Sequence, residues 1–430
     1  MADLQHPQHP ITPSRPTSGA SPVPRALASR PAHSCAPTAP PISRTPGVPP
    51  RGAAEAPAPS SVDLARARVL LAAQLVVDGH NTLAQELGRT PWQTLCDGES
   101  TLDVDIPRIR AGGVGAQFWA LHPPDPETDP ETGTATAPET GSGTGPGTAP
   151  APDTTPGLVP ALVPDPEAGT DRLISSTLDR IDAVRSLITS CPESLSLART
   201  AREMADARDR GRVASLLGPV AGAALGDSLG TLRAYHALGV RSVSLAGTHW
   251  AEVPDGLTAF GEEVIRELNR LGVLADLSGA APATMHRVLD VTSAPVMFSR
   301  SAAYALTPHP ANVPDDLLRR LRANGGVCMV GFAPELVENG HVPPAVRDVA
   351  DHLEHVREVA GPESVGISGS YGSRAQVPHT VGLEDASCYP HLIAELLHRD
   401  WPESDIAALT WGNAVRVVRE AADLATPPPP

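Results

Sequence analysis

Eight short apolar segments, each followed by a helical pattern, constrain the fold of this 430-residue chain more than any other feature. They begin near residues 76, 114, 213, 241, 273, 294, 327 and 365. Each is mostly apolar along its length, as is typical of parallel strands that are buried on both faces. Eight alternating β/α units predict an α/β fold, a (β/α)8 TIM-type barrel. An open doubly wound sheet is the alternative, but the turn Asp78-Gly79-His80 is not the glycine-rich nucleotide loop that such a sheet usually carries.

Two long segments lack the apolar residues that a folded core needs. Residues 1–60 are rich in Pro, Ser, Ala and Arg, and residues 122–170 are rich in Pro, Thr, Gly and acidic residues. Chains of this composition bury too little apolar surface to offset their conformational entropy. We therefore predict a disordered tail (1–60), a barrel (61–424) interrupted by a disordered acidic insertion (122–170), and a disordered end (425–430). Either long segment could dock a partner, but a solvated tail and a tolerated surface insertion are the simpler interpretations.

Composition also limits the partners and the compartment. The net charge of −16 argues against a nucleic-acid partner, and there is no apolar run of about 18 residues that would predict a membrane span. Residues 1–16 lack the apolar stretch of a secretory signal. The absence of lysine indicates a GC-rich bacterial coding bias. Five scattered cysteines, none in a C-x-x-C pair, favour reduced thiols in the cytoplasm over a disulfide framework. They are Cys35, Cys96, Cys191, Cys328 and Cys388.

A barrel of this type does its chemistry at its mouth, where the carboxyl ends of the strands meet. His80 ends the first predicted strand, His122 the second and Arg300 the sixth. A hydrolytic zinc centre needs three or more His, Asp, Glu or Cys ligands, and a guanidinium group repels a divalent cation. His122 opens the acidic insertion, so we interpret it as a loop residue. The mouth is therefore predicted to lack a zinc centre, and His80 to be a packed structural residue.

Four other side chains have both a structural and a functional interpretation. Asp276 lies inside a predicted strand, and its side chain is expected to cap or hold together strands of the barrel rather than bind metal. His249 follows the fourth strand and could face the mouth as a ligand-binding residue, or lie on a surface loop. His352 and His355 have a spacing that can bind zinc, but a solvated helix face is favoured because barrel helices lie outside.

Several motifs between about Val76 and Arg419, outside the insertion, together resemble one known family. They are Asp78-Gly79-His80-Asn81, Asp105–Trp119, Gly256–Gly261, Asp276-Leu277-Ser278, Ala294–Ser299, Asn312–Asp316 and Gly382–Asp385. The chain is similar in these motifs to the membrane (renal-type) dipeptidases, peptidase family M19, which are binuclear zinc (β/α)8 hydrolases. The resemblance therefore implies the same barrel and, in an intact member, dipeptide hydrolysis.

The resemblance also implies a set of site positions, and this chain keeps one metal ligand, His80. The other positions carry residues of different chemistry. Thr82 replaces the aspartate of the first motif, Val220 the bridging glutamate, Gly279 and Arg300 two metal histidines, Gly247 a substrate histidine, Ala311 a substrate arginine and Ser370 the acid/base aspartate. The framework motifs are retained while the reactive positions differ, which indicates selection for the barrel without its hydrolytic function.

The leading hypothesis is a degenerate dipeptidase-like barrel, a pseudoenzyme with no cofactor. It would act as a binding or regulatory subunit, paired with an active relative or with a second copy, because barrels of this family commonly dimerise. One alternative is an active zinc metallodipeptidase whose ligands come from other positions. Another is a protein that binds a small molecule or a peptide through its carboxylate, with Arg300 forming an ion pair with that carboxylate.

Overall fold

The fold comes from a computed structural model that describes residues 59–122, 166–338, 340, 342–372 and 378–426. The predicted disordered tail, insertion and carboxyl-terminal end lie almost wholly outside these residues. Helix α1 begins at Ser61, where folded sequence was expected to start. Helix α4 begins at Pro166, four residues before the predicted end of the insertion at residue 170.

The described residues contain ten parallel strands, all in one sheet. The strands are β1 (Val76–Asn81), β2 (Val114–Trp119), β3 (Leu195–Leu197), β4 (Val213–Leu217), β5 (Val220–Ala221), β6 (Ser242–Ser244), β7 (Leu274–Asp276), β8 (Met297–Ser301), β9 (Val327–Gly331) and β10 (Val365–Ser368).

The predicted barrel is confirmed, because the sheet curls into a ring that the segment carrying β4 and β5 closes. Its order is β3-β4-β2-β1-β10-β9-β8-β7-β6-β5. Strand β4 corresponds to the strand predicted near residue 213, and β5 follows it after Gly218 and Pro219. β4 pairs with β2, whereas β5 pairs with β6 through Val220 and Val243, so this segment closes the ring. All eight predicted strands are present.

Helices cover the outside of the ring between successive strands. Several begin at a side-chain cap that the sequence provides, such as Ser228 before α6 and Thr258 before α7. The helices are α1 (Ser61–Ala73), α2 (Trp92–Asp97), α3 (Ile106–Ala111), α4 (Pro166–Ser190), α5 (Ala201–Asp209), α6 (Leu229–Leu238), α7 (Ala259–Leu271), α8 (Pro282–Val291), α9 (Asp315–Asn324), α10 (Pro334–Val337), α11 (Val346–Ala360), α12 (Tyr389–His398), α13 (Glu403–Ala407) and α14 (Asn413–Asp423). In the described part of the chain no helix combines the length and apolar character that crossing a bilayer requires.

The sequence pattern of residues 195–209 predicts one continuous helix, and strand β3 corrects this prediction. Leu195–Leu197 pairs with β4, and the helix α5 starts only at Ala201. The Thr200 hydroxyl accepts a hydrogen bond from the Glu203 N–H and so fixes the start of that helix. A three-residue strand is too short for its alternation to stand out from a helical pattern.

The cysteines correct a second prediction. Cys96 on α2 and Cys191 just after α4 form a disulfide across a sequence separation of 95 residues. The prediction of reduced thiols is therefore wrong for this pair, and a cytoplasmic location loses the support that free thiols would give it. Cys328 is a free core thiol as expected, and burial raises its pKa to about 12.

His352 corrects the expectation of a solvated helix face. Its side chain is fully buried between α11 and the segment after β8. Its Nδ1 accepts a hydrogen bond from the Ala303 N–H at 3.0 Å, and its Nε2 lies 3.2 Å from the Thr307 hydroxyl. His355, one turn along, pairs with Asp315 at 2.7 Å. These histidines hold the framework together rather than binding zinc.

Candidate functional site

The site is built around the end of β1. A Cβ atom at Gly79 would lie 2.6 Å from both the Met329 sulfur and the Ser299 carbonyl oxygen, so only glycine fits here. The absence of a side chain at Gly79 lets β1 pack closely against Ser299 on β8 and Met329 on β9. It also places the next residue, His80, where it is 1% exposed at the mouth.

His122 lies directly against His80. The two Nε2 atoms are 3.3 Å apart, and the rings stack with centroids at 5.2 Å and an interplanar angle of 23°. The interpretation of His122 as a mere loop residue is therefore wrong. The sequence carried one signal for this contact, which is the position of His122 just after β2. Neighbouring parallel strands bring their carboxyl ends to the same edge of the sheet, so His122 could be expected near His80.

Arg300 adds a positive charge beside this pair. It lies near the end of β8 with an exposed side chain, and its N–H donates to the Ser278 hydroxyl at 3.0 Å. Burial lowers the pKa of His80 well below its usual range, and the charges of Arg300 and His122 lower it further. His80 is thus neutral at physiological pH.

Two buried aspartates hold the strand ends below the mouth. Asp276 accepts hydrogen bonds from the N–H and hydroxyl groups of both Ser278 and Ser299, which confirms its expected structural role. Asp78 accepts from the N–H groups of His80 and Gly369. Burial raises the pKa of Asp78 to about 7.

The substituted positions fall into two groups. Five lie at the mouth, which we define from here on by His80, Thr82, His122, Gly247, Gly279, Arg300 and Ser370. A Cβ at Gly247 would meet nothing within 4 Å, and one at Gly279 would meet only Ala246 at 3.6 Å, so both adjoin open space. Thr82 donates to the Tyr371 carbonyl oxygen at 3.3 Å.

The remaining two substituted positions, Val220 and Ala311, lie outside the set of residues that defines the mouth. Val220 is buried in β5, and the Ala311 N–H donates to His309. His249 is 75% exposed and lies 3.2 Å from Asp227, so its contact in the structure is a surface pair.

The donor set does not fit the zinc centre that the resemblance implies. Among residues 59–122, 166–338, 340, 342–372 and 378–426, no three His, Cys, Asp or Glu side chains form a group that could hold a metal ion. The mouth brings together two imidazoles and a guanidinium. A binuclear centre needs at least three ligands per ion and a bridging carboxylate.

Sequence comparison identifies the family. The family model described as membrane dipeptidase (peptidase family M19) matches residues 64–428. The chain is 34% identical over 374 residues to dipeptidase 3 of Macaca fascicularis, covering 83% of this chain and 67% of that protein. It is 34% identical over 385 residues to dipeptidase 3 of Homo sapiens, covering 84% of this chain and 68% of that protein.

Solved structures share the fold. The probable dipeptidase PvdM of Pseudomonas aeruginosa is 19% identical with a TM-score of 0.68, covering 85% of this chain and 99% of that one. A metallo peptidase of Rhodobacter sphaeroides, liganded with a phosphinate mimic of L-Ala-D-Ala, is 22% identical with a TM-score of 0.66, covering 81% and 99%. The family match over most of the chain, together with the barrel, shows that the chain belongs to the membrane dipeptidase family, peptidase family M19.

Proposed function

We propose that this chain is a dipeptidase-like pseudoenzyme, which binds a ligand at its mouth without zinc-dependent hydrolysis. One observation carries the proposal: the mouth combines a neutral His80, His122 and the cation Arg300 in place of a carboxylate-rich ligand set. A guanidinium group beside the one retained family ligand opposes a divalent cation at short range.

The test is metal content and turnover of the full chain. After purification with added zinc, we expect less than one zinc per chain by plasma mass spectrometry and no release of amino acids from a dipeptide panel. A His80→Ala variant should hold the same residual zinc as the wild type, and a His249→Ala variant serves as the surface control. Two zinc ions per chain, lost in His80→Ala and accompanied by turnover, would refute the proposal.

An active zinc metallodipeptidase is the second candidate. It is favoured by the 34% identity to proteins named dipeptidase 3 over most of this chain. In that case zinc would polarise the peptide carbonyl and activate water. The purified chain would then hold two zinc ions, lose them in the His80→Ala variant and release amino acids from the dipeptide panel.

We further propose that the role is that of a binding or regulatory subunit, paired with a second copy or an active relative. The support is the family resemblance. Light scattering of the purified chain, alone and mixed with an active family member, should give a mass above 44.6 kDa. A monomer in both samples would contradict this role.

A further inference from the structure

A cavity lies at the end of the barrel opposite the mouth, where the strands begin. Its wall comes from the turns at three neighbouring strands, within residues 72–75 before β1, 113–115 at the start of β2 and 211–213 at the start of β4. The parallel pairing of β2 with both β1 and β4 brings these turns to one edge of the sheet. We call this space the amino-end cavity. Its volume of about 490 Å³ lies within the range of small-molecule sites.

Three arginines line the amino-end cavity, and they come from three separate positions in the chain. Arg110 lies in the last turn of α3, Arg208 in the last turn of α5, and Arg212 directly before β4. Among the described residues of the lining, Asp209 supplies the only carboxylate, and it lies 3.6 Å from the Arg208 Nε. The lining therefore carries two net positive charges, although the whole chain has a net charge of −16.

Neutral groups hold two of these arginines in place. The guanidinium of Arg208 lies over the ring of Trp411, at 5.2 Å from its centroid. The Nη2 of Arg110 donates to the Glu193 carbonyl oxygen at 3.3 Å and to the Ser194 hydroxyl at 3.0 Å. Neither the ring, the carbonyl nor the hydroxyl carries a negative charge. Since a guanidinium has five N–H donors, Arg110 keeps donors for a further acceptor.

Arg212 has no comparable framework contact. Its side chain is partly buried, yet within the ranges that the structure describes no residue forms an ion pair or a hydrogen bond with it. The helix dipole favours a cation in the last turn of a helix, which accounts for Arg110 and Arg208. Arg212 lies beyond the last turn of α5 and has no such explanation. Like charges that share a cavity repel each other, so an anion bound among them would stabilise the lining.

The rest of the wall is largely apolar and leaves free volume beside the arginines. Ala72, Ala73 and Leu75 contribute apolar surface from the end of α1 and the turn before β1. A Cβ atom at Gly211 would meet nothing within 4 Å, so the turn that carries Arg212 adjoins open space. The amino-end cavity therefore offers both a cationic and an apolar surface to one ligand.

We propose that the amino-end cavity binds a small organic phosphate, with the phosphate group on Arg110, Arg208 and Arg212 and the organic part against the apolar surface. A phosphate monoester carries close to two negative charges at neutral pH, which matches the net charge of the lining. Guanidinium groups present paired N–H donors in the geometry that phosphate oxygens accept. A nucleic acid fits less well, because a chain with a net charge of −16 repels a polyanion. This binding is independent of whether the mouth hydrolyses dipeptides.

Calorimetric titration of the full chain in phosphate-free buffer tests the site with phenyl phosphate, inorganic phosphate and benzoate. We expect phenyl phosphate to bind at least about tenfold more tightly than benzoate, because the monoanion forms fewer charge-assisted hydrogen bonds. Inorganic phosphate should bind more weakly than phenyl phosphate, since it lacks an apolar part. No binding of phenyl phosphate, or equal affinity for phenyl phosphate and benzoate, would overturn the inference. Equal affinity for the two phosphates would overturn the assignment of an organic ligand.

Two matched pairs of variants locate the site. Arg212→Gln should weaken phenyl phosphate binding at least about tenfold, whereas Arg210→Gln, which changes an exposed arginine outside the lining, should bind as the wild type does. Ala73→Glu adds a carboxylate to the cavity and should bind at least about tenfold more weakly than Ala73→Gln, which adds a neutral side chain of the same size. Equal affinities within either pair would contradict the assignment.

Two controls separate binding from folding and from the mouth. Without ligand, Arg212→Gln should keep the thermal unfolding midpoint of the wild type, because its side chain holds no other described residue. If that midpoint falls, the two Ala73 variants decide the outcome. Arg300→Gln, which removes the cation of the mouth, should leave phenyl phosphate affinity unchanged. A loss in Arg300→Gln that Arg212→Gln does not share would place the phosphate at the mouth and overturn the inference.

Discussion

His352 on α11 and His80 at the end of β1 are both buried, and burial lowers the pKa of each imidazole. Their hydrogen bonds differ. Both ring nitrogens of His352 have partners, from Ala303 and Thr307. His80 shares one nitrogen with His122 and leaves the other unpartnered among the described residues. Burial therefore does not distinguish the two histidines, but their hydrogen bonding does, because the ring of His352 is held at both nitrogens and that of His80 at one.

The largest expected effect is on the framework, at the disulfide. For the sequence separation of 95 residues, loss of the cross-link should lower the free energy of unfolding by about 4–5 kcal/mol, because the unfolded chain regains loop entropy. Urea denaturation of the Cys96→Ser/Cys191→Ser double variant measures this. Dithiothreitol should lower the unfolding free energy of the wild type to that of the double variant. It should leave the unfolding free energy of the double variant unchanged.

The next effect is the pH dependence that His352 contributes. Burial lowers its pKa to about 4, so between the ordinary value of 6.5 and about 4 the unfolded chain binds a proton that the folded protein does not. The free energy of unfolding is therefore unaffected by His352 above pH 6.5. It falls as the pH decreases below that value, and the loss reaches about 3 kcal/mol at pH 4.

A His352→Gln variant should therefore show a flatter decline in unfolding free energy between pH 6.5 and pH 4 than the wild type. His355→Gln, on the same helix, should flatten the decline less than His352→Gln does, because the charge of His355 is only the second cause, after burial, of the lowered pKa of His352. Parallel curves for wild type and His352→Gln would show that His352 is not held neutral by its surroundings.

The smallest effect is expected at the mouth itself. Ser370 has a φ of 55°, a left-handed conformation that costs a non-glycine residue energy. A Ser370→Gly variant should gain about 0.5–1 kcal/mol in unfolding free energy, measured by urea denaturation. Asp400→Gly, at φ 59°, is the framework control and should gain similarly. If Ser370→Gly destabilised the protein, its hydroxyl would belong to the framework, and the contrast between the two regions would fail.

Much of the fold could be predicted because its signals are local. The apolar strands, their helical connections and the turn at Asp78-Gly79-His80 are patterns of a few neighbouring residues. The structural role of Asp276 followed from its place within a strand. The disulfide between Cys96 and Cys191 could not be predicted, because nothing local marks two cysteines that are 95 positions apart as a pair.

The sequence by itself determined the β/α alternation and the chemical identity of the mouth, including Arg300 and the small residues at former ligand positions. Only the tertiary structure decided that His122 lies against His80 and that His352 is buried. These facts depend on distances between residues far apart in the chain. Such distances are set by strand register and core packing, which act on the whole barrel at once.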